Sequence, residues 1–161
     1  MKVEHKISVK KKLFAKREQS LNTFSSIGHR LEFFSNSNGK IWINDSKSTD
    51  IGATAFSLEN VEGPIVWIVG ETQLERDLDI IYELVLLKVN EIIYYGSHET
   101  KLKYKFGSKV KYSQLSDIES AVKMASNNQS ENISILFSPA CSSFPTHDNY
   151  KVRGEYFKNL I

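Results

Sequence analysis

Two short apolar segments, each bounded by turn-forming or polar residues, constrain the fold of this chain more than any other feature. Ile65–Val69 lies between Gly63-Pro64 and Gly70, and Ile133–Phe137 follows a polar loop. Segments of this length suit β-strands, and strands with apolar residues on both sides are typical of a sheet that helices cover on both faces. The sequence therefore predicts that both segments are central strands of a covered sheet.

Further strand and helix patterns alternate along the chain. The predicted strands are His29–Phe34, Ile41–Asn44, Ile65–Val69, Ile92–Tyr95, Val110–Tyr112 and Ile133–Phe137. The predicted helices are residues 17–26, a segment from a Ser48 or Thr49 cap to Leu58, Leu78–Val89, His98–Phe106, Asp117–Ala125 and Tyr150–Leu160. Asn38-Gly39, between the first two strands, predicts a hairpin turn because both residues tolerate a positive φ. This alternation predicts a Rossmann-like α/β fold: a mostly parallel sheet with helices on both faces and an N-terminal edge hairpin.

Length and composition limit the class of protein. The 161 residues fit one domain, at about 100–200 residues per domain. The single cysteine, Cys141, excludes a disulfide framework and indicates a reducing compartment. The most apolar stretch, residues 80–89, is interrupted by Glu83 and Lys88 and is far shorter than the ~20 residues of a membrane span. No apolar segment of the secretory type follows the N-terminal lysines, so we expect a cytoplasmic protein without a membrane span.

The net charge of +2 is unevenly distributed. Residues 1–20 contain seven basic and two acidic residues, whereas the remainder has 14 basic and 17 acidic residues. A basic arm of this kind can bind nucleic acid or anionic lipid. Because the rest of the sequence shows no matching basic face, we interpret residues 1–20 as a solvated linker or the end of a preceding domain. We expect no nucleic-acid partner.

Two nucleotide-binding signatures are missing. Asn38-Gly39-Lys40 is the nearest match to a phosphate-binding P-loop, but Phe34 stands where its first glycine should be, and Ile41 where its hydroxyl should be. The turn after Ile65–Val69 has no glycine cluster of the dinucleotide-binding type. The four histidines are scattered singly, so no metal site is predicted.

Polar residues after the second predicted strand form the first candidate site. Asn44-Asp45-Ser46-Lys47-Ser48-Thr49 places a carboxylate, an ammonium group and hydroxyls at a strand end, just before a helix. Ligands of parallel α/β sheets bind beyond the carboxyl ends of the strands, and a helix N-terminus favours anions. A capping loop with a solvated ion pair is the alternative. We favour an anion site, with Lys47 as the charge and Thr49 as a donor.

A second candidate site follows the last predicted strand. Ser138-Pro139-Ala140-Cys141-Ser142-Ser143 contains small residues that allow close approach of a ligand. No partner base lies near Cys141 in the sequence, so a buried inert thiol is expected there rather than a nucleophile. Arg30, before the first strand, has the chemistry to hold a phosphate bidentately, and a surface arginine is the alternative.

Four segments, in order along the chain, carry a family resemblance. They are LNTFSSIGHRLEFF at Leu21–Phe34, WINDSKST at Trp42–Thr49, ILFSPACSSF at Ile135–Phe144 and NYKVRGEYF at Asn149–Phe157. Together they resemble the C-terminal domain of the Mur ligases over residues 21–161. WINDSKST resembles the loop of the D-glutamate-adding branch of that family.

The resemblance implies an ATP-dependent amide ligase of peptidoglycan biosynthesis. In that branch ATP phosphorylates the carboxylate of UDP-N-acetylmuramoyl-L-alanine, and the amine of D-glutamate attacks the acyl phosphate. The phosphate loop and the magnesium ligands are expected in a central domain, and the site for the UDP end in an N-terminal domain. We therefore expect this chain to bind the amino acid, to close over ATP, and to be inactive in isolation.

The resemblance also implies roles for individual residues. Lys47 is the expected catalytic residue. Arg30 is expected on an ATP phosphate, and Asp45 on the ATP ribose. The expected amino-acid-binding residues are Ser46, Thr49, Ser143 and Tyr150.

Two segments depart from the family pattern. Leu74 falls near the position of a family lysine that holds the D-glutamate carboxylate, and Glu71 and Glu75 add negative charge beside it. Pro145–Asp148 replaces an acidic residue, an aromatic residue and a lysine. Two alternatives therefore stay open: a degenerate, non-catalytic binding or regulatory module of the same fold, and a ligase domain for another amino acid.

Overall fold

The computed structural model of the chain describes residues 28–161. The predicted helix at 17–26 and the basic segment 1–20 lie outside the described residues. The described strands are β1 (Glu32–Ser37), β2 (Lys40–Asn44), β3 (Ile65–Gly70), β4 (Val89–Tyr95), β5 (Lys111–Leu115) and β6 (Ile133–Phe137). The helices are α1 (Ile51–Asn60), α2 (Tyr82–Lys88), α3 (Lys101–Phe106), α4 (Ile118–Ser126) and α5 (Tyr150–Lys158), and a 3₁₀ turn (Leu78–Ile81) precedes α2.

The six strands form one sheet in the order β1-β2-β6-β3-β4-β5. β1 is antiparallel to β2, and all other neighbours pair in parallel. The β1–β2 turn at Asn38 and Gly39 has φ values of 51° and 73°, as the hairpin signal predicts. The predicted Rossmann-like sheet with an edge hairpin is therefore confirmed.

Helices cover both faces of the sheet. Leu58 of α1, Val85 of α2 and Phe106 of α3 pack in one apolar core with Trp67. On the opposite face α4 and α5 pack in a second core around Phe137. The chain leaves β2 and β3 towards the first face but leaves β6, which lies between them, towards the second. Crevices open at such reversals in open α/β sheets, so the carboxyl ends of β2, β6 and β3 are the expected ligand-binding edge.

Several predicted boundaries are wrong: β1 begins at Glu32 and not at His29, and the helix predicted from His98 begins at Lys101. Three further differences have identifiable reasons. The N-cap of α1 is Asp50, whose carboxylate accepts a hydrogen bond from the Ala53 N–H at 2.9 Å. Ser48 does not cap the helix because its hydroxyl donates to Asp45. The predicted helix Leu78–Val89 is a 3₁₀ turn and a seven-residue helix, and Val89 already pairs with β3. β5 extends to Leu115 because an edge strand tolerates polar residues that hide its apolar pattern.

No helix within residues 28–161 is both long and apolar enough to cross a membrane.

Candidate functional site

The carboxylate of Asp45, at the end of β2, is completely buried and accepts four hydrogen bonds. Its Oδ2 accepts from the hydroxyls of Ser48 at 2.6 Å, Ser57 at 2.5 Å and Ser138 at 2.7 Å. Its Oδ1 accepts from the Leu31 N–H at 3.2 Å. Burial raises the pKa of Asp45, and the four hydrogen bonds act in the opposite direction. Asp45 therefore joins α1, the turn before β1 and the end of β6 at one buried point.

The burial of Asp45 bears on its expected contact with the ATP ribose, which stays a prediction. The side chain has no exposed surface, and both of its oxygens have partners within the protein. A ribose hydroxyl could reach the carboxylate only after these hydrogen bonds had broken. The geometry instead supports a positioning role for Asp45 in holding the loops of the site.

The turn that carries Arg30 is anchored on both sides. His29 and Leu31 have φ values of 65° and 45°, in the left-handed region that costs energy for side chains of this size. The Lys47 N–H donates to the His29 carbonyl at 2.9 Å, and the Leu31 N–H donates to Asp45. Arg30 is half-buried in the middle of this turn and makes no ion pair with any residue in 28–161. The backbone of Arg30 is therefore held beside the β2 loop, and its guanidinium makes no ion pair in this part of the chain.

Lys47 and Tyr150, predicted from separate segments, lie together. The Lys47 Nζ is 5.7 Å from the centroid of the Tyr150 ring, within the range of a cation–π contact. The imidazole of His29 packs edge-on against the same ring, with centroids 6.1 Å apart. Lys47 is half-buried and makes no ion pair with a carboxylate of the described residues. Its positive charge is therefore oriented by an aromatic ring and is not neutralised by a neighbouring acid.

Ser46 points into the protein, and its expected contact with an amino acid stays a prediction. The residue is completely buried, and its Oγ has no hydrogen-bond partner among the residues that the structure describes. Its carbonyl accepts a hydrogen bond from Arg153 Nη2 at 2.8 Å. Ser46 therefore belongs to the support of the loop rather than to its ligand-facing side.

Arg153 is a site residue that the sequence reasoning missed. Its side chain is 1% exposed, with Nη1 donating to the Cys141 carbonyl at 2.9 Å and Nη2 to the Ser46 carbonyl. No carboxylate in 28–161 pairs with it. The guanidinium thus ties the loop after β2 to the loop after β6. A sequence signal for Arg153 was its spacing of four residues from Phe157, which puts the two side chains on one face of a helix. Both are buried in α5.

Gly154 explains how closely α5 approaches the Arg30 turn. A Cβ atom at this position would lie 2.3 Å from His29 Nδ1 and 2.4 Å from Ser46 Oγ. Any larger residue would push α5 away from both groups. Since Tyr150 and Arg153 lie on the same helix, this close approach also sets their positions beside Lys47 and Ser46.

The remaining predicted residues lie on the same two loops. Thr49 is exposed at the start of α1, and Ser143 is 9% exposed after β6. The two loops are directly bonded, because the Ala140 N–H donates to the Ser48 carbonyl at 3.0 Å. Cys141 is buried, as expected for an inert thiol. The structure therefore brings the predicted loops after β2 and β6 together at one edge of the sheet.

The loop after β3 borders this edge from the other side. Leu74 is 79% exposed. Arg76 donates from Nη2 to the carbonyls of Gly70 at 2.5 Å and Ala140 at 3.0 Å, so it links the ends of β3 and β6. Burial lowers the pKa of Arg76 because desolvation penalises its charge. Three loops thus converge at the carboxyl edge.

Metal-binding potential is limited in the described part of the chain. Within residues 28–161 no three or more His, Cys, Asp or Glu side chains group in a way that would hold a metal ion.

Comparison with known proteins identifies the family, although no family model matches the chain. A UDP-N-acetylmuramoylalanine–D-glutamate ligase from Christiangramia forsetii is 35% identical over 144 residues, which are 89% of this chain and 32% of that enzyme. The enzyme of the same name from Chloroherpeton thalassium is 33% identical over 89% of this chain and 31% of its own length. The chain thus spans about one third of these relatives.

Solved structures with the same fold come from two kinds of ligase. The MurF ligase of Thermotoga maritima, crystallised with ADP, aligns with a TM-score of 0.52 and 13% identity over 84% of this chain and 30% of its own. A bifunctional folylpolyglutamate synthase/dihydrofolate synthase from Yersinia pestis, complexed with AMPPNP and a Mn ion, aligns with a TM-score of 0.56 and 14% identity over 84% of this chain and 32% of its own. The solved structures show the fold, and the sequence matches show that the chain belongs to the Mur ligases, as the counterpart of about one third of a UDP-N-acetylmuramoylalanine–D-glutamate ligase.

Proposed function

We propose that this chain is the C-terminal, amino-acid-binding domain of an ATP-dependent ligase that adds D-glutamate to UDP-N-acetylmuramoyl-L-alanine. The observation that supports this proposal most strongly is the position of the Lys47 ammonium group. It lies against the Tyr150 ring at the carboxyl edge of the sheet, and no carboxylate of residues 28–161 pairs with it. Such a group suits a reaction in which anionic phosphoryl and carboxylate groups meet, because a preorganised cation stabilises charge that develops in the transition state.

The proposed roles of the site residues come from the family resemblance, and their positions in the structure support some of them. Lys47 would offset the negative charge on the acyl phosphate while the amine of D-glutamate attacks it. Thr49, Ser143 and Tyr150 would hold the amino acid, and Arg30 would hold an ATP phosphate. Three buried residues would position the loops without touching a substrate: Asp45, Ser46 and Arg153. They would hold the loops at fixed relative positions, so that the reacting groups meet in a productive orientation.

The remaining parts of the reaction belong to other domains of the same ligase. A central domain would supply the phosphate loop and the magnesium ligands, and an N-terminal domain would bind the UDP end of the substrate. Closure of this chain over ATP would then complete the site, as lid movements do in other enzymes. The bound ADP of the MurF ligase and the AMPPNP and Mn ion of the folylpolyglutamate synthase support a nucleotide and a divalent cation in ligases of this fold. The proposed compartment is the cytoplasm.

An acceptor panel tests this function. The gene product that carries this chain is assayed for phosphate release with UDP-N-acetylmuramoyl-L-alanine, ATP and a set of D- and L-amino acids. We expect release that depends on D-glutamate. Release with a different amino acid would instead favour a ligase of altered specificity, for which the exposed Leu74 is the motivating observation. No release with any acceptor, in a gene product that also contains a phosphate loop, would favour a degenerate binding module.

A further inference from the structure

Two of the proposed amino-acid ligands, Ser143 and Tyr150, are joined by a loop in which one side chain is shielded from solvent. Within residues 144–149 that side chain is His147, which is half-buried, and the others are exposed. The His147 N–H donates to the Ser143 carbonyl at 2.8 Å and closes a turn between the two residues. The position of His147 therefore sets the position of the Ser143 backbone.

The imidazole of His147 packs on the ring of Tyr156 in α5. The ring centroids lie 5.3 Å apart, and the ring planes are tilted by 52°. The Tyr156 hydroxyl in turn donates to the Glu119 carboxylate of α4, so the tyrosine ring is fixed between two helices. Aromatic pairs at this separation attract one another beyond the area that they bury. The contact therefore ties the loop that carries Ser143 to α4 and α5.

The surroundings of His147 favour its neutral form. Burial of the imidazole lowers its pKa, and the guanidinium charge of Arg153 acts in the same direction, whereas Asp148 opposes both. The charged and titratable groups around the ring are Asp148 of the loop, Arg153 and Tyr156 of α5, and Glu119 of α4, which is bonded to the Tyr156 hydroxyl. Protonation of the imidazole is therefore disfavoured while the ring is packed, and it favours release of the ring.

We propose that His147 is a positioning residue for the acidic amino-acid acceptor: its neutral imidazole, packed on Tyr156, holds Ser143 in the geometry that binds the acceptor. This inference rests on the proposed function, in which Ser143 and Tyr150 hold the amino acid. His147 acts through the Ser143 carbonyl rather than on the substrate. A loop that is ordered in advance lowers the entropy cost of binding. The role therefore belongs to KM for the acceptor more than to kcat.

Two substitutions of His147 separate packing from titration. His147→Phe keeps an aromatic ring for Tyr156 but has no ionisable group, and His147→Ala removes the ring. His98→Gln is the control for loss of a histidine elsewhere, at a side chain that is 75% exposed. The gene product that carries this chain and the three variants are compared for kcat and KM with D-glutamate. The assays are run at about pH 7.5 and about pH 5.5, on either side of the ordinary histidine pKa of 6.5. The thermal midpoint of each protein shows that it is folded.

The first expected result is rescue by the aromatic variant at about pH 7.5. His147→Ala should raise KM for D-glutamate about 3- to 10-fold with little change in kcat, which is the scale of one lost aromatic pair. His147→Phe and His98→Gln should keep the KM of the unmodified protein, because the ring on Tyr156 is present in both.

The second expected result is a pH dependence that His147 causes. Because the pKa of the packed imidazole is lowered, the packed form is fully favoured above pH 6.5 and loses stability as the pH falls from there towards the lowered pKa. Between the two pH values KM should rise about 2- to 10-fold more in the unmodified protein than in His147→Phe, and the upper figure is the limit for one proton over one pH unit. The comparison cancels the ionisation of the substrate and of all other groups. His98→Gln should follow the unmodified protein.

Two results overturn this role for His147 while the proposed function stands. One is an unchanged KM in His147→Ala at about pH 7.5, which would show that Ser143 needs no support from the ring. The other is an equal rise of KM towards low pH in His147→Phe and in the unmodified protein. If the unmodified protein does not use D-glutamate at either pH, the proposed function fails, and the role of His147 falls with it.

Discussion

Replacing Lys47 with alanine is expected to abolish measurable turnover of the gene product, a loss on the order of 1,000-fold in kcat. The ammonium group is the charge that we place on the acyl phosphate. Its described side-chain contact is the Tyr150 ring, so the substitution removes charge without leaving a buried group unpaired. Steady-state phosphate release with saturating ATP and D-glutamate measures the effect.

Two comparisons make the Lys47 result specific. Lys123→Ala removes a lysine from the exposed side of α4 and should leave kcat unchanged. The thermal midpoint of Lys47→Ala should stay close to that of the unmodified protein, because a half-buried lysine without an ion pair in 28–161 contributes little to stability. Retained activity in Lys47→Ala would show that the site has been placed on the wrong loop.

The largest loss of stability is expected from Asp45→Asn. Asparagine keeps one acceptor oxygen but replaces the other with an NH₂ donor. Either the three hydroxyls that donate to Oδ2 or the Leu31 N–H that donates to Oδ1 therefore lose their acceptor inside the protein. Each unsatisfied buried donor costs about 1–3 kcal/mol, and we expect a total loss of about 3 kcal/mol in the free energy of unfolding after partial rearrangement. Urea unfolding of the 161-residue chain, followed by circular dichroism, measures this loss.

Ser57→Ala is the matched comparison for Asp45→Asn. It removes one donor from the same carboxylate and should cost about 1 kcal/mol, since the acceptor keeps its other partners. The slope of the free energy against urea should be similar for both variants, which indicates a change in stability rather than in the unfolded state. A loss from Asp45→Asn no larger than that from Ser57→Ala would contradict the positioning role.

Local patterns in the sequence were sufficient to predict the strands of the sheet and its edge turn. Ile133–Phe137 forms β6 with the predicted bounds, and Asn38-Gly39 forms the predicted turn, because strand and turn preferences act over a few neighbouring residues. β5 was the weakest prediction since an edge strand needs few apolar residues. The antiparallel edge hairpin and the parallel remainder followed from the order of elements.

The direction of individual site side chains could not be predicted in the same way. The family resemblance implies ligand contacts for Asp45 and Ser46, and in the structure both side chains are completely buried. Their partners are distant in sequence: Ser138 is 93 residues from Asp45, and Arg153 is 107 residues from Ser46. Such contacts depend on tertiary packing. Lys47 and Tyr150 were identified separately, and the structure adds that they lie in contact.

The central claim is that the loops after β2 and β6 form one amino-acid site, and a titration observed by NMR tests it most directly. The ¹⁵N-labelled 161-residue chain is titrated with D-glutamate, with L-glutamate as the stereochemical control. We predict saturable shifts of the amide signals of Lys47, Thr49, Ser143 and Tyr150 that are stronger with the D-isomer. No shifts, or shifts centred on Gly39 and Asn128 at the opposite edge of the sheet, would contradict the account.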